Sequence, residues 1–144
     1  MKNNQLVTSG AIVFKEYRGK KLWLVTRQGE AGKWEIPKIT VRRGESSVRA
    51  SLRMTGEMAG MNARILEEAG RTTGVSSVNG KSVPQKTYYY LLIYKAGGEA
   101  IGFHQFEWLE YGKAMRKLEL KKEKDMLKNA KDVLKKWEKE KKGN

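Results

Sequence analysis

Apolar positions recur along this chain with two different periods. Over residues 22–27 they alternate, with Leu22, Leu24 and Thr26 opposed to Trp23, Val25 and Arg27, which predicts a strand in a sheet. Residues 7–14 read as a preceding strand, with Arg18-Gly19-Lys20 as a turn and residues 29–32 as a loop. Residues 87–94, rich in Tyr, Leu and Ile, predict another strand; alternation puts Tyr88 and Tyr90 on one face and Tyr89 on the other. Shorter strands are expected at 63–67 and 103–109. Residues 70–80, full of Ser, Thr, Asn and Gly, read as a loop or short hairpin, and Gly97-Gly98 as a turn.

The second period is helical. Residues 47–59 carry Val48, Ala50, Leu52, Met54, Met58 and Ala59 among polar residues. Ser46 or Ser47 supplies an N-cap oxygen, and Gly60 stands where a left-handed C-terminal cap belongs. Arg49, Arg53 and Glu57 form one row on this helix, with Met54 and Met58 in the next. Residues 111–118 and about 122–141 predict two further helices. The last has Met126, Leu127, Ala130, Val133, Leu134 and Trp137 as the stripe of a docked amphipathic helix. Mixed strands with helices on both sides imply an α/β/α sandwich, one domain over 1–144.

Between strand and helix lies WEIPKITVRRGE, a basic loop with Lys38, Arg42 and Arg43. Together with the helix it resembles the Nudix box, G-x5-E-x7-R-E-U-x-E-E-x-G-U, where U is a bulky aliphatic. Glu45 matches the first glutamate, Arg53 the arginine, Glu57 the first of the paired glutamates, and Gly60 and Met61 the end. The lead-in is similar to the family's Trp-x-x-Pro-Lys. FEWLEYGKAMRKLELKKEKDMLKNA resembles the C-terminal part of the branch that cleaves diadenosine tetraphosphate asymmetrically. The resemblance implies a Nudix-type fold with a mixed sheet, a nucleoside diphosphate-linked ligand, and Mg or Mn if the protein is active. It implies that Glu45, Arg53 and Gly60 are box scaffold. Lys38 matches the lysine of the lead-in, and with Arg42 and Arg43, which precede a helix N-terminus that favours anions, it is a candidate to bind substrate phosphate; solvated loop cations are the alternative. The resemblance also implies that Tyr88 or Tyr90 stacks on a base, although packing on the sheet accounts for either.

Four positions depart from the box. Ile39 stands at its first glycine, Met54 at the glutamate after the arginine, Thr55 at the aliphatic that follows, and Met58 at the second of the paired glutamates. Glutamates at i, i+3 and i+4 converge on one helix face, and magnesium needs several oxygen ligands in near-octahedral array. Thioethers are poor ligands for so hard an ion. Glu57 is therefore the one box carboxylate left on that face as a metal ligand or catalytic group. The two methionines are expected to pack as apolar side chains.

Charge adds a second clue. Thirty Lys and Arg against sixteen Asp and Glu give +14, and the stretch from Lys113 to the end holds thirteen basic and six acidic residues. Such a balance attracts polyanions, RNA among them, and equally suits a solvated lysine-rich helix. There is no cysteine, so disulfides and thiolate metal sites are excluded. No apolar run is long enough for a membrane span and the N-terminus does not read as a signal peptide, so a cytoplasmic protein is expected. His104, the single histidine, reads as a surface residue.

Three function classes follow. One is a Nudix-like pseudoenzyme that binds a nucleotide, a nucleotide-linked molecule or RNA. Another is an active pyrophosphohydrolase that recruits Glu67, Glu68, Glu99 or Glu107 to complete a metal site. The third is a protein-interaction or ribosome-associated module. The pattern favours the first, because one carboxylate seldom replaces three.

Overall fold

Alternation builds a sheet in which each strand feeds two cores. The structure, a computed structural model, describes residues 5–97 and 105–142, without the side chains of Met58, Ala59, Ala96 and Lys142. Its elements are β1 (Leu6–Tyr17), β2 (Lys20–Arg27), β3 (Lys38–Thr40), α1 (Ser47–Ala59), β4 (Met61–Val78), β5 (Lys81–Gly97), β6 (Gln105–Leu109), α2 (Tyr111–Lys117) and α3 (Lys121–Lys142). The sheet runs β4-β5-β1-β2-β6, with β3 beside β1, and is mixed because β1 and β5 are parallel. The expected α/β/α sandwich is found.

Period-two alternation sorts β1 cleanly. Ala11 and Val13 join Leu24, Met54, Tyr90 and Leu92 under α1, while Ile12 and Phe14 join Trp23, Tyr89, Leu91 and the α3 stripe on the opposite face. The predicted stripe packs as expected, with Met126, Leu127, Ala130 and Leu134 buried and Val133 and Trp137 partly so. Gly10 lets β1 and β5 approach, since a Cβ there would lie 2.6 Å from the Tyr89 ring. No helix among the described residues is long and apolar enough to cross a membrane.

Two expectations change in detail. Of the loop or short hairpin expected at residues 70–80, the hairpin is found, and it is longer than expected: β4 continues to Val78, and β5 starts at Lys81. Asn79 and Gly80, both with positive φ, form the two-residue turn of a hairpin. Asn-Gly is the sequence signal for such a turn; the polar Ser and Thr around it are compatible with a ribbon that has little core to face. The loop after Pro37 contains a short strand, β3, whose Lys38, Ile39 and Thr40 pair with Gly10, Ser9 and Thr8. His104 and Glu99 lie outside the described residues.

Candidate functional site

The loop before α1 is held from within. Arg53 reaches back across two turns of helix to Glu45: Nε donates to Oε2 at 2.8 Å and Nη2 to Oε1 at 3.0 Å. Nη2 also donates to the Thr40 carbonyl, and the Arg42 backbone N–H donates to Glu45 Oε1. This bidentate pair and the Arg42 N–H hold the Glu45 carboxyl down to about 2. Ser46 caps α1 by accepting from the Arg49 N–H, and Gly60 closes it in the left-handed conformation, as the sequence predicted.

Met54 is core. It is 0 % exposed, among Ala11, Val13, Leu24, Tyr90 and Leu92. Thr55, also buried, donates its hydroxyl to the Ser51 carbonyl one turn back. Glu57 is exposed. Among the described residues no three His, Cys, Asp or Glu side chains are grouped to hold a metal ion. The other candidate carboxylates do not gather either: Glu68 pairs with Arg71, Glu107 pairs with Lys117, and Glu67 is exposed on β4. The donor set at α1 therefore does not fit the hard divalent cation that the Nudix resemblance implies.

Lys38 departs most from its expected role. Its ammonium donates to Glu35 Oε1 at 2.5 Å, to the Ile36 carbonyl at 3.1 Å and to Glu123 Oε2 at 2.5 Å. An ammonium has three donors, and these three acceptors match them, leaving none for a phosphate. Glu123, only 1 % exposed, also accepts from the Ile36 N–H at 2.8 Å and from the Tyr89 hydroxyl at 2.8 Å. Burial, and after it the negative charge of Glu123, pushes the Tyr89 hydroxyl far above the usual phenol range. Trp34 is fastened nearby: its N–H donates to Glu119, and Lys117 and Arg27 lie over its ring.

Above this network opens a cleft of about 350 Å3 between the first turn of α3, with Lys121 and Lys122, and the Thr72–Val75 stretch of β4 beside Gln85, Thr87 and Tyr89 of β5. Tyr89 and Glu123 lie on it, with Thr72, Thr87, Gln85 and Lys121 around them. Arg42 and Arg43 are exposed on the far side of β3, and neither forms an ion pair among the described residues. Tyr90 is 6 % exposed beneath α1 and hydrogen-bonds the Ser47 hydroxyl, so its ring has no face open to a base. Tyr88 is half-buried, with Arg71 and Lys86 over its ring. The structure thus brings Glu45 to Arg53 and sets Lys38 against Glu123; it does not bring Glu57 to a second carboxylate.

Sequence reasoning missed Glu123. The signal was present: Glu123, Leu127, Ala130 and Leu134 share one helical stripe, so a carboxylate stood on an apolar face. A charge there is retained only when paired, and its partner lies 85 residues away.

No protein-family model matches the chain, and no curated protein matches it in sequence. Solved structures do. A Caenorhabditis elegans Ap4A hydrolase, in a binary complex, superposes with a TM-score of 0.72 at 20% identity, covering 90% of this chain and 97% of that one. A Nudix hydrolase structure from Listeria monocytogenes gives 0.69 at 15% identity, covering 90% and 94%. The Nudix domain of Shewanella oneidensis NrtR, complexed with ADP ribose, gives 0.65 at 17% identity, covering 90% and 88%. With its mixed sheet held between α1 and α3, the chain has the fold of the Nudix hydrolases.

Proposed function

We propose that this protein binds a nucleotide or nucleotide-linked polyphosphate without cleaving it by the metal-dependent route of Nudix hydrolases. The observation that carries the reading is Met54, fully buried at a position where the box has a glutamate. A hydrolase of this kind needs several oxygens around the metal, and only Glu57 remains of the three on this helix.

The nucleoside end suits the cleft beside α3, whose Thr72, Thr87 and Gln85 offer hydroxyl and amide partners to a sugar or base. The phosphates then lie across β3 toward Arg42 and Arg43, in the turn that follows it. Countercharge comes from these guanidiniums near the α1 N-terminus in place of a metal. Tyr88 lies on the opposite face of the sheet from this cleft, with Tyr90, and so takes no part in this pose. The reading is supported by the fold's likeness to a C. elegans Ap4A hydrolase and to a domain complexed with ADP ribose.

The test is calorimetric titration with diadenosine tetraphosphate, ADP-ribose and ATP, with and without Mg2+, alongside an assay for phosphate release. Binding that needs no Mg2+, weakens about tenfold in an Arg42→Gln, Arg43→Gln variant and is accompanied by no turnover supports the reading. Turnover in Mg2+ or Mn2+ that disappears in Glu57→Gln would establish the hydrolase instead. The exposed Lys128, Lys135, Lys136 and Lys139 of α3 favour RNA as a second ligand class. A steep fall of RNA affinity with salt, reduced by neutralising those lysines, tests it.

A further inference from the structure

The sheet ends on β4, and its outer edge is guarded along only half its length. A free strand edge offers N–H and C=O groups to any extended chain, and proteins blunt it with charges, bulges or proline. From Asn62 to Gly70 β4 carries three register shifts, with Arg64, Glu67 and Glu68 along the same stretch. Beyond Arg71 both devices stop. Thr72 to Val78 pairs with β5 without a break, contains no charge and no proline, and exposes Val75 at 72 % and Val78 at 41 %.

The register fixes which groups point outward. Val75 stands opposite Pro84, which has no N–H to give. That pair is therefore of the non-hydrogen-bonded kind, and Gly74, Ser76 and Val78 make the ladder bonds. It follows that Thr73, Val75 and Ser77 turn their N–H and C=O groups to the open edge. Lys122 confirms the orientation, since its ammonium donates to the Thr73 carbonyl. On the other edge of the ribbon Pro84 itself blocks pairing. One side of the hairpin is closed to a further strand; on the β4 side Lys122 takes the Thr73 carbonyl, and Val75 and Ser77 face outward beyond it.

Charge narrows what would occupy it. No Asp or Glu occurs from Ala69 to Gly98, while Arg71, Lys81, Lys86 and Lys95 do. Lys121 and Lys122 stand beside the edge from the first turn of α3, and a Cβ on Gly74 would lie 3.7 Å from the Lys122 ammonium. A second copy of this chain would bring the same cations against themselves. An acidic chain at Thr73–Ser77 would meet Lys121 and Lys122 with no carboxylate of the ribbon against it.

We propose that the β4 edge at Thr73–Ser77 takes up an extended acidic polypeptide segment as an added strand, with Lys121 and Lys122 pairing its carboxylates. Main-chain bonds to Val75 and Ser77 supply the alignment, and Val75 supplies apolar contact for alternate side chains. The edge borders the cleft of the nucleotide reading, since Thr73, Gly74, Val75, Lys121 and Lys122 line both; the two readings are told apart by Val75→Pro, which removes an edge N–H and leaves Arg42 and Arg43 in place.

The test uses a fluorescein-labelled heptapeptide alternating glutamate with valine, and a control with the same glutamates in which the valines are prolines. Anisotropy is measured with the whole protein. Val75→Pro removes one outward N–H without breaking a ladder bond, so the variant is expected to melt within a few degrees of the parent. Expected results are a tenfold or greater loss of heptapeptide affinity in Val75→Pro and in Lys121→Gln, Lys122→Gln, and at least tenfold weaker binding of the proline control. Amide exchange should slow at Val75 and Ser77 when the heptapeptide binds. Equal binding by Val75→Pro, or of the proline control, would overturn the proposal. So would polyuridylate binding to the same lysines while the heptapeptide does not, which would assign them to nucleic acid. Self-association of the parent that is lost in Val75→Pro would assign the edge to a second copy.

Discussion

Replacing Met54 by glutamate restores the box residue in sequence, and the structure predicts that it unfolds the protein before it restores any chemistry. Met54 is 0 % exposed and surrounded by Ala11, Val13, Leu24, Met61, Tyr90 and Leu92. Losing a buried methionine side chain costs about 1.5–3 kcal/mol. A glutamate at such a site stays protonated, and a carboxyl raised by about three pH units costs a further ~4 kcal/mol at pH 7. The sum, about 5–7 kcal/mol, rivals the whole stability of an ordinary domain. The sign gives a second check. A carboxyl whose folded pKa is raised penalises folding little below its unfolded pKa, near 4.3, and increasingly as pH rises toward the folded value. Urea melts of Met54→Glu from pH 4 to pH 8 should therefore show a loss that deepens with pH, while Met54→Leu costs less than about 1.5 kcal/mol at every pH. A Met54→Glu protein as stable as the parent, with a pH-independent melt and Mg2+-dependent pyrophosphate cleavage, would refute the placement of this side chain in the core.

Other consequences are as direct. Glu123→Ala leaves Lys38 and the Tyr89 hydroxyl without their shared acceptor; breaking a buried pair costs about 3–5 kcal/mol, read as a fall of about 10–15 °C in Tm. Adding Lys38→Met should recover part of that loss, which a double-mutant cycle measures. Gly10→Ala drives a methyl into the Tyr89 ring and should lower stability by about 1–3 kcal/mol in denaturant melts. Glu45 has its folded pKa depressed from 4.5 to about 2, so its contribution is complete above pH 4.5 and is lost as pH falls toward 2. Acid melts of Glu45→Gln should be flatter than the parent's across that window.

What the sequence made legible was local. Alternation placed Tyr88 and Tyr90 opposite Tyr89, helical spacing found the α3 stripe, and Ser46 and Gly60 marked the ends of α1. Each depends on residues within a turn or two of one another. The ribbon was hidden because Thr72 to Val78 has almost no apolar pattern; it is a strand because β5 pairs with it, and only Asn79-Gly80 announced the turn. The site was least legible where charge was concerned. Lys38 read as a free loop cation because nothing near it in sequence reveals that Glu123 lies against it, and one long-range pair reversed its role.

That reversal constrains how an anion could be held. Lys38 stands between Glu35 and Glu123, so the cluster at the floor of the cleft carries two carboxylates against one ammonium. In a partly desolvated site such an excess repels phosphate more strongly than the same charges would in water. The donors that meet there, the Ile36 N–H, the Lys38 ammonium and the Tyr89 hydroxyl, are the kind that grip an anion, and the chain fills them with its own carboxylate. That floor suits an uncharged sugar or base over Tyr89, which leaves Lys121 and Lys122 at the rim of the cleft and the exposed Arg42 and Arg43 beyond β3 as the cations for phosphates.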